Sequence, residues 1–250
     1  MSANIPISNQ PFLYINNLKV SNNATTPNTK IDVSLGECRD STDTNDIVVT
    51  AAGTIDASIN GVDGLDTGSL AASTWYYVYA IGSSLNVAQP ARLLSASATA
   101  PNLPAGYDVF RVIGYMLTDG SVHFLKCYIS GNNNSRKHFW DADIAVLTSG
   151  TATSLTAISL ASAIPPVDYT PVQIVADYTP ATAGDSVSFA PFGSTATLLP
   201  HVTGSVAAKA NSAQLTILSR LDTATPKILY INSAASGDAD VWVSGFEYFI

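Results

Sequence analysis

The sequence predicts an all-β protein of antiparallel β-sandwich or jelly-roll-like domains with little helix, on three observations. Short apolar runs recur along all 250 residues, each bounded by Gly, Pro, Asn, Asp or Ser. The runs are rich in Val, Ile, Tyr, Trp and Phe, side chains that suit a pleated, half-buried surface. Hydrophobic residues make up 46% and charged residues 12%, the reverse of a disordered chain, so a sizeable core can form.

The clearest strand runs are residues 74–81, 107–117, 122–129, 213–218, 227–231 and 240–249. Trp75-Tyr76-Tyr77-Val78-Tyr79-Ala80-Ile81 is apolar at nearly every position, which asks for cover on both faces, by a second sheet or by a partner chain. Thr118-Asp119-Gly120-Ser121 between two runs predicts a tight hairpin, because Gly accepts positive φ. Residues 55–60 are assigned one or two helical turns ended by Gly61, followed by a glycine-rich loop over 62–68.

Four segments are expected: an N-terminal attachment arm over 1–50, a β domain over 51–160, a proline-containing linker over 161–170 and a C-terminal β-sandwich domain over 171–250. The arm is suggested by Asn16, Asn17, Asn22, Asn23 and Asn28 alternating with short apolar pieces, which suits strand addition to another chain. An edge strand and loop of the same domain fits these residues equally. The linker is placed where Ser, Thr and Ala lead into Pro165-Pro166, since prolines donate no ladder hydrogen bonds.

The net charge is −8, with 11 basic residues that form no cluster, so nucleic-acid phosphates and anionic membranes are not expected partners. No apolar stretch reaches the roughly 18 residues of a spanning helix. Met1-Ser2-Ala3-Asn4-Ile5-Pro6 lacks a basic region followed by an apolar run, so no signal peptide is expected. Cys38 and Cys127 are too far apart to suggest a disulfide framework and are taken as reduced and structural.

One motif carries sharp chemistry. Leu65-Asp66-Thr67-Gly68-Ser69 matches the short signature of aspartic proteases, and Val112-Ile113-Gly114 echoes a second step of it. No second Asp-Thr-Gly or Asp-Ser-Gly follows, and the approach through Asn60-Gly61-Val62-Asp63-Gly64 is polar and flexible, so a surface turn is expected. Asp63 and Asp66 lack EF-hand spacing. His123, His138 and His201 form no metal-binding pair, and no Gly-x-Ser-x-Gly elbow or phosphate-binding loop is present. In Arg136-Lys137-His138-Phe139-Trp140-Asp141 the aromatics are expected to pack inward from a strand edge rather than stack on bases. Catalytic, cofactor-binding and metal residues are therefore all assigned as none. Trp242 is a candidate sugar-stacking platform, for which core packing is the alternative.

Gly36-Glu37-Cys38-Arg39-Asp40-Ser41-Thr42-Asp43-Thr44-Asn45-Asp46-Ile47 resembles a block of structural proteins from tailed bacteriophages and prophages. The resemblance continues through Gly64-Leu65-Asp66-Thr67-Gly68-Ser69, Trp75-Tyr76-Tyr77-Val78-Tyr79, Pro101-Asn102-Leu103-Pro104-Ala105-Gly106-Tyr107 and Arg111-Val112-Ile113-Gly114. It ends with Gly204-Ser205-Val206-Ala207-Ala208-Lys209-Ala210-Asn211 and Ile231-Asn232-Ser233-Ala234-Ala235-Ser236. It implies a virion component without catalytic residues, assembled in the bacterial cytoplasm. A tail fibre or adaptor attached through its N-terminal part is expected first, and a capsid decoration protein second. A carbohydrate-binding receptor module and an aspartic protease are the remaining alternatives. The expected partners are the chain itself, as a homo-oligomer with threefold symmetry by analogy, other virion proteins, and a host surface glycan.

Overall fold

A computed structural model describes residues 13–131, 133–195 and 200–250. Among them there is no helix. The chain forms two compact units: the first runs to Lys137 and takes back Phe249–Ile250, and the second is His138–Tyr248.

In the first unit β1 (Ile15–Asn17), β4 (Gly36–Arg39) and β5 (Asp46–Val49) form a small antiparallel sheet in the order β1-β4-β5. A larger sheet has the order β10-β8-β9-β7-β6-β3-β2. Its strands are β2 (Val20–Asn22), β3 (Lys30–Val33), β6 (Gly53–Asn60), β7 (Gly64–Leu65), β8 (Trp75–Gly82), β9 (Ala91–Ser95) and β10 (Val109–Leu117). The residues expected to form an arm are thus tied into this unit from Ile15 onward, as strand and loop of the same domain. Residues 1–12 lie outside the described residues.

The cover that β8 demands comes from this chain. Every residue from Tyr76 to Gly82 is buried. Tyr77 meets Tyr115 and Tyr79 meets Phe110 edge-on across β10, while Tyr76 meets Phe124. Ile47 of the small sheet lies against Gly82, where an added Cβ would sit 3.3 Å from its side chain. The helical turns expected over 55–60 are instead strand β6. Ile55, Ala57 and Ile59 alternate with Asp56, Ser58 and Asn60, a period of two, and Ile55 pairs with Ile31.

The hairpin at Thr118-Asp119-Gly120-Ser121 is wider than expected. Thr118 and Phe124 form an isolated bridge, and Asp119 Oδ1 accepts the Ser121 and His123 amides. Val122, not Gly120, carries the positive φ, at 66°. The strand expected over 122–129 shortens to β11 (Cys127–Ser130), which pairs with the start of β12 (Ser135–Gly150) rather than with β10.

The second unit is a pair of sheets. One has the order β12-β19-β14-β17 and the other the order β18-β15-β16, with β13 also on β18. β17 joins them by pairing first with β14 and then, at Arg220–Asp222, with β18. The strands are β13 (Thr156–Ser159), β14 (Thr170–Thr179), β15 (Ser186–Pro191), β16 (His201–Thr203), β17 (Asn211–Asp222), β18 (Thr225–Asn232) and β19 (Asp238–Phe249). Val172, Ile174, Ala176 and Tyr178 alternate inward along β14, as do Ala239, Val241 and Val243 along β19, while Val187, Phe189 and Ile228 are buried in the other sheet.

Where the sequence suggested a linker over 161–170, the contacts divide the chain at Lys137/His138, inside β12. Residues 161–170 belong to the second unit. Ala163 and Ile164 are fully buried there, and the Ala163 carbonyl accepts the Trp140 indole N–H at 3.0 Å. Proline pairs mark a break in hydrogen-bonded strand, and a break need not be a boundary.

Candidate functional site

The Asp-Thr-Gly triplet stands at the mouth of an open cleft of about 340 Å³, lined by Leu65, Asp66, Tyr76, Ser95, Ser97 and Asn102 among others. Its position follows from the two-residue strand β7, which runs parallel to both β6 and β9. Gly64 is needed for this close approach, because a Cβ there would lie 2.5 Å from the Ile59 carbonyl oxygen. The Asp66 amide then donates to the Leu94 carbonyl at 2.7 Å.

Asp66 Oδ2 accepts the Ser95 hydroxyl at 2.6 Å and the Asn102 amide at 3.0 Å. The carboxylate therefore ties β9 to the loop through Asn102. Among the described residues lining the cleft there is no second carboxylate to share a proton with it. Asp63 turns elsewhere: it accepts the Arg92 guanidinium at 3.2 Å, and Arg92 also donates to the Ala51 carbonyl. Gly53 leaves room for that guanidinium, since a Cβ would lie 2.3 Å from it. Asp63 and Asp66 are thus two anchors of one loop, and no group of three or more His, Cys, Asp or Glu suited to a metal occurs among the described residues.

This arrangement sets an expected result. Asp66→Asn keeps an acceptor oxygen and should cost about 1 kcal/mol, whereas Asp66→Ala leaves the Asn102 amide and Ser95 hydroxyl unmet at about 1–3 kcal/mol. Urea midpoints of the two variants check it. A peptidase activity present in the parent and lost in Asp66→Asn would sink the structural role of this carboxylate.

The block from Gly36 to Ile47 is the β4–β5 hairpin. Asp40 is 2% exposed and accepts the Thr44 and Asn45 amides, the Thr42 hydroxyl and the Asn45 side-chain amide. Burial pushes its carboxyl upward, but these hydrogen bonds outweigh that and hold it below the usual carboxylate range. Arg39 pairs with Asp46 at 3.5 Å and closes the loop onto the Asp43 carbonyl.

Cys38 and Cys127 are free and buried, and desolvation pushes both thiols up to about 12, the chemistry of inert core residues. His201 is exposed, and His123 lies 3.9 Å from Asp119 on the surface. The 136–141 segment splits by alternation. Trp140 packs inward as expected, together with His138 and Phe246 in the second unit's core, whereas Phe139, expected to do the same, lies on the outer face, where its ring covers Gly245. Trp242 also lies on the outer face, partly exposed between the buried Val241 and Val243.

No family model matches the chain, and no curated protein matches it. Among solved structures it is similar to an isomalto-dextranase of Arthrobacter globiformis T6 complexed with panose, at 13% identity and a TM-score of 0.21. That match covers 88% of this chain and 35% of the other. It is also similar to the structure of infectious bursal disease virus, Gx strain, at 11% identity and a TM-score of 0.26, over 96% of this chain and 73% of the other. A third likeness is to a Cry1Da tryptic core variant of Bacillus thuringiensis, at 10% identity and a TM-score of 0.20, over 96% of this chain and 52% of the other. Superpositions this poor carry no functional argument, and the chain spans about a third of the first of these proteins.

Proposed function

We propose that this chain is a non-catalytic structural component of a tailed-phage virion, of the tail-fibre or adaptor type, attached through its N-terminal part. The supporting observation is the use made of the residues that carry the resemblance. Asp40 and Arg39 hold backbone within their own hairpin, and Asp66 ties its turn to β9 and to the Asn102 amide. That is the work of a rigid β scaffold, and its charge-poor exterior of Ser, Thr, Asn and Gly suits packing among subunits. The expected assembly is a homotrimer.

Two measurements test the proposal. Mass spectrometry of purified virions should find the protein, and its copy number separates a tail position, at a few to a few tens, from a capsid lattice, at hundreds. Multi-angle light scattering of the purified chain should give about three times 26.1 kDa. Absence from virions overturns the virion role, and a monomer at high concentration overturns the self-assembly of the free protein.

A further inference from the structure

The outer face of the β12-β19-β14-β17 sheet brings together aromatic, amide and carboxylate side chains from distant parts of the chain. Alternation and register place its residues in rows across the strands. Trp242 of β19 pairs with Val175 of β14, which pairs with Gln214 of β17. In the next row Asp240 pairs with Asp177, and Asp177 with Ser212. On the other side Gly245 pairs with Gln173, and Gln173 with Thr216. A Cβ on Gly245 would lie 3.1 Å from Phe139 Cδ1, so the Phe139 ring stands over that row. Two partly exposed aromatic rings therefore share one face: Trp242 on β19, and Phe139 of β12 over Gly245, which lies three residues, roughly 10 Å, along β19 from Trp242. Planar amides and carboxylates surround them.

We propose that this face binds a neutral glycan, with pyranose rings stacked on Trp242 and Phe139. Aromatic faces offer apolar area to the C–H face of a sugar, and Gln173, Gln214, Asp177 and Asp240 supply the acceptors and donors that vicinal hydroxyls require. The paired carboxylates favour this ligand. Like charges directly opposite on neighbouring strands cost energy by themselves. Asp240 Oδ1 already accepts the Ser149 amide at 2.8 Å, and hydroxyl donors laid along the Asp240–Asp177 row relieve the remaining repulsion. Asp141, Asp143, Asp238 and Glu247 add negative charge along β12 and β19, which repels acidic polysaccharides and anionic lipid. A protein partner is less well matched, because Val175 is the one aliphatic side chain in the three rows, whereas a protein interface core needs contiguous apolar area. The inference does not rest on the virion role.

Native affinity electrophoresis of the full chain tests it, in gels containing mixed-linkage β-glucan, galactomannan or glycogen, with alginate as the acidic control. Retardation is expected in at least one neutral gel and not in alginate. Trp242→Ala should abolish it, and Gln214→Ala, on the exposed side of β17, should weaken it at least fivefold with an unchanged far-UV spectrum. Phe139→Ala should weaken it about tenfold. Retardation in none of the neutral gels overturns the proposal, as does undiminished retardation of a folded Trp242→Ala or, if that variant fails to fold, of Gln214→Ala. Self-association lost in Trp242→Ala without any retardation overturns it in favour of a second copy of this chain.

Discussion

Replacing Arg136 by Ala is expected to destabilise the first unit by about 3–5 kcal/mol, or to prevent its folding. Arg136 is fully buried and donates to three backbone carbonyls: Leu18 at 2.8 Å, Ile113 at 3.0 Å and Asn17 at 2.5 Å. Two of these belong to the corner between β1 and β2, where Asn17 and Leu18 hold φ of 62° and 52°. A left-handed pair without glycine is strained and persists where its surroundings fix it. The third carbonyl lies at the β10 irregularity between Val112 and Gly114. Truncation leaves these acceptors without a donor inside the core, at about 1–3 kcal/mol each before relaxation, and opens a cavity. Arg136→Lys retains charge but cannot fork to three oxygens, so it should recover less than half of the loss. Arg136→Met fills volume alone and separates packing from hydrogen bonding. Urea denaturation followed by near-UV circular dichroism of the tyrosines in β8 and β10 reads the effect. An Arg136→Ala protein within about 1 kcal/mol of the parent contradicts this account.

His138 sets the acid limit of the second unit. Its ring is fully buried, 4.7 Å from Phe246 in a stacked arrangement and 4.4 Å from Trp140, and neither nitrogen has a hydrogen-bond partner among the described residues. Desolvation lowers its pKa to about 3. The unfolded chain takes up the proton near pH 6.5, whereas the folded one refuses it until about 3. Between those values the unfolded state binds more protons, so stability falls as pH falls. The full loss is on the order of 4–5 kcal/mol, of which about 2–3 kcal/mol is gone by pH 4.5. Carboxylates with lowered pKa, such as Asp40 and Asp108, add acid sensitivity at lower pH, so the comparison is made by difference. His138→Phe should flatten the slope of stability between pH 7.5 and 4.5. Equal slopes in parent and variant rule out His138 as the cause.

Much of the fold was legible because strand signals are local. The apolar run from Trp75 to Ile81, the aromatic runs that became β10 and β19, and the turn residues between them all express period and propensity within a few residues. The β6 segment was misjudged although its period of two was present, since Ala and Ser weaken a strand pattern. The width of the turn at Asp119 depended on a side chain: its carboxylate capped two amides and drew the chain away from a two-residue hairpin. For the candidate sites, the sequence marked Asp66, Phe139 and Trp242 as residues of interest but left open which way each would face.

The amino-acid sequence by itself determined the all-β class and the scarcity of charge, because composition and short-range pattern suffice for these. Only the tertiary structure decided that the residues after Ile15 belong to the first unit and that the division falls inside β12. It alone decided that Arg136 closes a corner 118 residues away and that Trp242 and Phe139 share an outer face. Each of these outcomes depends on the register between distant strands. A shift of one residue would exchange the two faces, and no window of the sequence contains both partners.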